Sequence, residues 1–106
     1  MNYRYMRIIV MFDLPTLTLQ DNKNYRDFRK FLLKNGFIMM QESIYIKLAL
    51  NPPAAEKIRK QVRKVIPDEG LVQMLTITEK QFHDMELLVG SKQTKYLDSD
   101  KRFIKI

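Results

Sequence analysis

Apolar and polar residues alternate near the start of the chain. Between Tyr5 and Phe12, an extended backbone puts Met6, Ile8, Val10 and Phe12 on one face and Arg7, Ile9, Met11 and then Asp13 on the other. Period two in β-branched and aromatic residues predicts a strand. The apolar run from Ile8 to Phe12 stops at Asp13, and Leu14 and Pro15 bar a simple continuation. Residues 14–22 read as a loop opened by Pro15 and closed by Asp21 or Asn22 as a helix cap. The period then becomes helical, from about Lys23 to Asn35. Tyr25, Phe28, Phe31 and Leu32 fall on one side, Lys23, Arg26, Lys30 and Lys34 on the other, and Gly36 is a suitable stop.

Two strands follow, "FIMMQ" and "SIYIKLAL", joined by a very short connection near Gln41 to Ser43. In the second, Ile44, Ile46, Leu48 and Leu50 alternate with Ser43, Tyr45, Lys47 and Ala49, which predicts the first set buried. Asn51 caps a second helix whose first turn carries Pro52 and Pro53, where proline is tolerated. Its apolar stripe is Ala54, Ala55, Ile58, Val62, Val65 and Ile66. Its outer face holds Lys57, Lys60 and Lys64, and Pro67 ends it. A fourth strand runs from about Leu71 to Thr78. After Lys80 the signal weakens, and "RFIKI" at the end is a short strand candidate.

The order strand, helix, strand, strand, helix, strand is the split βαβ arrangement, so the expected fold class is α+β and ferredoxin-like. It predicts an antiparallel sheet with both helices on one face and the first and last strands together at its centre. The expected division is a domain over 1–80 and a C-terminal tail over 81–106. The other sheet face, carrying Ile9, Met11 and Tyr45, is left open and apolar, which predicts a homodimer packed sheet to sheet. "RFIKI" would pair with the partner protomer's sheet edge.

Charge narrows the partners. Nineteen Lys and Arg against twelve Asp and Glu give +7, a field that draws polyanions, so nucleic acid leads as the partner class. A basic chain that is merely soluble is the plainer alternative. No apolar run approaches the roughly 18 residues of a membrane helix, and "MNYRYMR" lacks a signal-peptide core, so the expected address is cytoplasmic, without a membrane. No cysteine is present, which excludes a thiolate zinc site and a cysteine nucleophile.

Few residues offer chemistry. His83 is the single histidine and has no local partner pattern; Asp98 and Asp100 read as a turn or helix cap. No Walker loop, HExxH or GxGxxG occurs, and three glycines cannot build a glycine-rich phosphate or ligand loop. That argues against a small-ligand regulatory module. Asp13 stands apart because it ends the first strand, at the mouth between elements. Read alone, it is a turn residue accepting backbone hydrogen bonds before Pro15. In a symmetric dimer whose axis passes near that strand end, two Asp13 carboxylates would face each other. At about 4 Å and an effective dielectric near 20 they would repel by about 4 kcal/mol. Protonation or a divalent cation relieves that cost, and Mg2+ accepts one or two carboxylates while keeping waters or substrate phosphates. Glu42 in the hairpin is the next acid by order and a weaker candidate.

"MFDLPT" at 11–16, "GFIMMQESIYIKL" at 36–48 and the element order together resemble CRISPR-associated protein 2, the small partner of the CRISPR spacer-acquisition integrase, in the short form found with single-effector systems. The resemblance spans roughly residues 5–80 and includes the "Q-x-S" hairpin, here Gln41 and Ser43. It implies a homodimer with Asp13 as the metal-site aspartate and Mg2+ as the cofactor. It also implies one of two roles. The first is a scaffold in antiviral defence that bridges integrase dimers and holds double-stranded DNA. The second is a Mg2+-dependent endonuclease acting on RNA or double-stranded DNA. For the scaffold, the expected DNA-binding residues are Lys23, Arg26, Lys30 and Lys34 on the first helix and Lys57, Lys60 and Lys64 on the second. Their contacts would be to phosphates, indifferent to base sequence and sensitive to salt.

Overall fold

A computed structural model describes residues 5–90. The elements are β1 (Met6–Asp13), α1 (Leu19–Lys34), β2 (Ile38–Gln41), β3 (Ile44–Ala49), α2 (Pro52–Arg63), β4 (Leu71–Thr78) and a short α3 (Glu79–His83). The four strands form one sheet in the order β2-β3-β1-β4, with every neighbouring pair antiparallel. This is the α+β, ferredoxin-like arrangement. The centre differs from expectation: β1 and β3 occupy it, and β4, though paired with β1, is an edge. Both helical crossovers skip a strand, so β3 takes the place on the far side of β1.

Both helices pack on one sheet face. Ile8, Val10 and Phe12 of β1, Tyr45 and Ala49 of β3, Phe28 and Leu32 of α1, and Ala55 and Val62 of α2 make a single buried cluster. Each large side chain fully withdrawn from water there contributes roughly 1.5–3 kcal/mol. Phe12 is its aromatic hub. It stacks on Tyr45 at 5.6 Å and meets the rings of Phe28 and Tyr25 edge-on at 5.1 and 6.0 Å.

The β1–β3 register reverses the expectation for the third strand. Val10 lies opposite Tyr45, and residues opposite each other share a face, so Tyr45 points at the helices and is wholly buried rather than exposed on the open face. Ile44 and Ile46 turn to the open face instead, while Leu48 and Leu50 remain exposed. Both faces of this strand carry large apolar residues, so alternation alone does not say which faces inward. Lys47, on the helix face with Tyr45, donates to the Asn35 carbonyl at the end of α1, placing a cation where the helix dipole is negative.

Two helix ends also move. α1 begins at Leu19, a turn earlier than the expected Lys23. The cap is Thr18, whose Oγ1 accepts from Asp21 N at 3.0 Å while the Asp21 carboxylate accepts from Thr18 N at 3.1 Å. Asp21 is thus the third helical residue of a capping box rather than the cap. α2 is capped by Asn51, as expected, but ends at Arg63, before Pro67. Val65 and Ile66 lie beyond it, 38% and 48% exposed, and are not part of its stripe.

The second sheet face is not wholly open, because α3, absent from the sequence expectation, lies over part of it. Phe82 is 4% exposed and packs with Ile9 and Ile46. Beyond this cover Ile38, Leu48, Leu71 and Leu75 stay exposed. The expected "RFIKI" strand, much of the 81–106 tail, and Asp98 and Asp100 lie outside the described residues. No described helix is long and apolar enough to cross a membrane.

Candidate functional site

Asp13 is the last residue of β1 and is exposed, between two buried neighbours, Phe12 at 5% and Leu14 at 7% exposure. The pleat sends Phe12 to the helices, so Asp13 shares the opposite side with Arg7, Ile9 and Met11, at a corner of the face left open. Three segments converge there. Phe12 N donates to the Ser43 carbonyl at 3.1 Å, tying the strand end to the β2–β3 hairpin. On the other side Asp13 lies opposite Leu71, the first residue of β4. Gly70 precedes it with φ of +99° and lies against residues Asp13 to Pro15. The carboxylate is therefore carried on a backbone held from both flanks.

A free carboxylate is the hard oxygen donor Mg2+ takes, so Asp13 fits such an ion in kind. It does not suffice in number within one protomer. No group of three His, Asp or Glu able to hold a metal occurs among the described residues. Glu42 lies in the hairpin turn next to Ser43, exposed, and joins no such group. The ligand set grows only if a second copy brings its own Asp13.

The basic residues all lie exposed on the two helices of one layer. Lys23, Arg26, Lys30 and Lys34 are on α1, Lys57 and Lys60 are on α2, and Lys64 is its C-terminal cap. Lys23 is engaged: its Nζ lies 2.8 Å from Asp27, whose carboxyl it holds below the ordinary value. The other six form no ion pair with a described residue. α2 carries its own counter-charge at Glu56, which Arg59 and Arg63 hold, leaving its lysines without a partner acid among the described residues.

One cluster escaped the sequence reading. Arg7, on the open face of β1, reaches Glu79 of α3 through Nε and Nη2 at 2.7 and 2.9 Å. Its guanidinium also lies 4.5 Å from the centre of the Phe82 ring. His83 Nε2 is 3.2 Å from Oε2 of the same carboxylate. Arg7 hydrogen bonding, more than any other cause, keeps the Glu79 carboxyl below its ordinary value, with burial opposing it and the charges of Arg7 and His83 assisting. The available signal was Arg7 itself, an arginine followed by five apolar residues, which needs a partner when its face is covered.

The chain is similar in sequence to known proteins. The family model described as CRISPR associated protein Cas2 matches residues 6–85. A protein of Treponema denticola named "CRISPR-associated endoribonuclease Cas2" is 50% identical over 99 residues, which are 93% of this chain and 98% of that one. Proteins of the same name from Ligilactobacillus salivarius and Streptococcus mutans serotype c are 42% and 46% identical, each over 93% of this chain and over 98% and 91% of their own lengths. The match runs from β1 through α3, the elements that build the Asp13 corner and both basic helices, and the chain belongs to the CRISPR-associated Cas2 family.

Proposed function

We propose that this chain is the dimeric, duplex-DNA-binding scaffold subunit of a CRISPR spacer-acquisition complex, with strand transfer done by a separate integrase. The observation that carries this reading is the exposed set Arg26, Lys30, Lys34, Lys57, Lys60 and Lys64, without an ion pair to any described residue and gathered on one layer. Such a surface neutralises phosphates without reading bases. The exposed Ile38, Leu48, Leu71 and Leu75 support a homodimer through the opposite face, which would leave the helices free for DNA. The test is duplex binding across a salt series, with and without the co-purified integrase. Replacing Lys57, Lys60 and Lys64 by Gln lowers the slope of log K against log salt by about 0.9 for each phosphate no longer neutralised. An unchanged slope and affinity overturns the assignment of that face. Acquisition surviving Asp13→Ala supports the scaffold role; abolished acquisition in a folded, dimeric Asp13→Ala protein refutes it.

The second reading is a Mg2+-dependent endonuclease, favoured by the name its relatives carry and by the exposure of Asp13 at the strand end. Asp13 from each protomer would hold the ion. Bound there, Mg2+ supplies charge stabilisation at the phosphate and a more acidic water. The buried Phe12 and Leu14 anchors would keep the carboxylate in place. Cleavage of RNA or duplex DNA by purified protein then disappears with Asp13→Ala and with chelator. Activity that persists in Asp13→Ala refutes this reading.

A further inference from the structure

We infer that Gly70 is a positioning residue for Asp13, setting where its carboxylate stands at the sheet corner. The inference rests on Asp13 as a metal ligand and goes beyond it to what fixes the ligand. Gly70 has φ of +99°, and a Cβ built on it would stand 2.8 Å from Leu14 Cδ2, 2.9 Å from the Asp13 carbonyl oxygen and 3.0 Å from Pro15 Cδ. Two of these three atoms belong to backbone or to a proline ring, which cannot swing aside as a flexible side-chain tip does. The third is on Leu14, 7% exposed and part of the helix-side core. The next residue, Leu71, is the strand partner of Asp13, so any retreat of position 70 strains the last rung of the β1–β4 ladder.

Ordinary contact begins at 3.4 Å, so a Cβ at position 70 drives the Asp13–Pro15 segment back by about half an ångström. Metal and catalytic groups work within about that tolerance. A two-fold pair doubles the error, because both carboxylates move. Gly36 provides an internal control. It has φ of +91°, but the three atoms nearest its added Cβ all belong to the Lys47 side chain, with Nζ first at 2.7 Å. Gly36 and Gly70 therefore share the backbone penalty of a side chain at positive φ, and only Gly70 touches the segment that carries Asp13.

Mn2+ binding to the full chain, measured by calorimetry and by the spectrum of the free ion, separates the two, with thermal unfolding measured on the same samples. Gly70→Ala and Gly36→Ala are both expected to lose stability, Gly70→Ala the more because its Cβ meets backbone, but only Gly70→Ala loses Mn2+ affinity, by about tenfold or more as for other residues that orient a ligand. Gly70→Asn tolerates positive φ better while keeping the Cβ; it is the folded variant to use if Gly70→Ala does not fold, and it shows the same loss. Wild-type Mn2+ affinity in a folded Gly70 variant overturns the inference. Equal weakening in Gly36→Ala overturns it too, by making the effect general. A wild type whose Mn2+ binding is unaffected by Asp13→Ala removes the reading of Asp13 itself, and the role of Gly70 with it.

Discussion

Arg7 and Glu79 hold α3 against the sheet, and a double-mutant cycle measures how strongly. The variants are Arg7→Met, Glu79→Gln and their combination. Two charged N–H···O bonds at 2.7 and 2.9 Å join these side chains, and a hydrogen bond to a charged group contributes about 1.5–3 kcal/mol. The side chains are 20% and 14% exposed, so water screens part of the attraction and the hydration given up offsets more. The coupling expected is about 1–2 kcal/mol, or about 5–10 °C of melting temperature in a domain of this size. Chemical denaturation and calorimetry at fixed protomer concentration read it, since dimerisation would make stability concentration-dependent.

The same pair predicts a pH dependence with a definite sign. Glu79 is held below its ordinary value of 4.5 in the folded protein, so the unfolded chain binds the proton first. Its contribution is fully present above 4.5 and is lost as pH falls below that value and through the lower folded one. Glu79→Gln should remove this part of the acid slope. Single variants that add to the double within about 0.3 kcal/mol refute the reasoning. So does a wild type with the same slope as Glu79→Gln below 4.5.

Three further outcomes are expected. Leu75→Asp charges a residue 50% exposed on the open face, so it should convert the proposed dimer to monomer by light scattering without altering the circular dichroism of the fold; a dimer of unchanged mass would exclude this face as the interface. Tyr45→Phe removes a hydroxyl that is buried with no hydrogen-bond partner among the described residues. Denaturant stability should stay level or rise by up to about 1 kcal/mol, and a drop of that size would reveal a partner. Thr18→Ala should cost about 0.5–2 kcal/mol and fray the first turn of α1, seen as faster amide exchange from Leu19 to Asn22.

Much of this molecule was legible in its sequence because the period of apolar residues reports local geometry. Alternation through Ile8, Val10 and Phe12 names both a strand and the face that meets the helices, and β1 obeys it. The spacing of Phe28 and Leu32, and of Ala55 and Val62, names the buried sides of the helices, and both obey it too. The basic stripes and the end of the first strand at Asp13 were equally plain. Helix ends were less so. Thr18 and Asp21 act as a pair across three residues, and reading Asp21 or Asn22 as the cap shortened α1 by a turn.

Other features required the fold. β3 carries large apolar residues on both faces, so only its register against β1 could bury Tyr45 against Phe12 and turn Ile46 to the other side. Arg7 and Glu79 are 72 residues apart, and no local pattern announces that a five-residue helix will bring them together. Gly70 carries no signal of its own in the sequence; only the strand pairing lays it against Asp13, Leu14 and Pro15. Sequence by itself determined which residues are apolar, charged or able to turn the chain, because those are local properties of side chain and backbone. Tertiary structure decided which of them meet, because contact across the sheet depends on register, and register is settled only when all four strands pack at once.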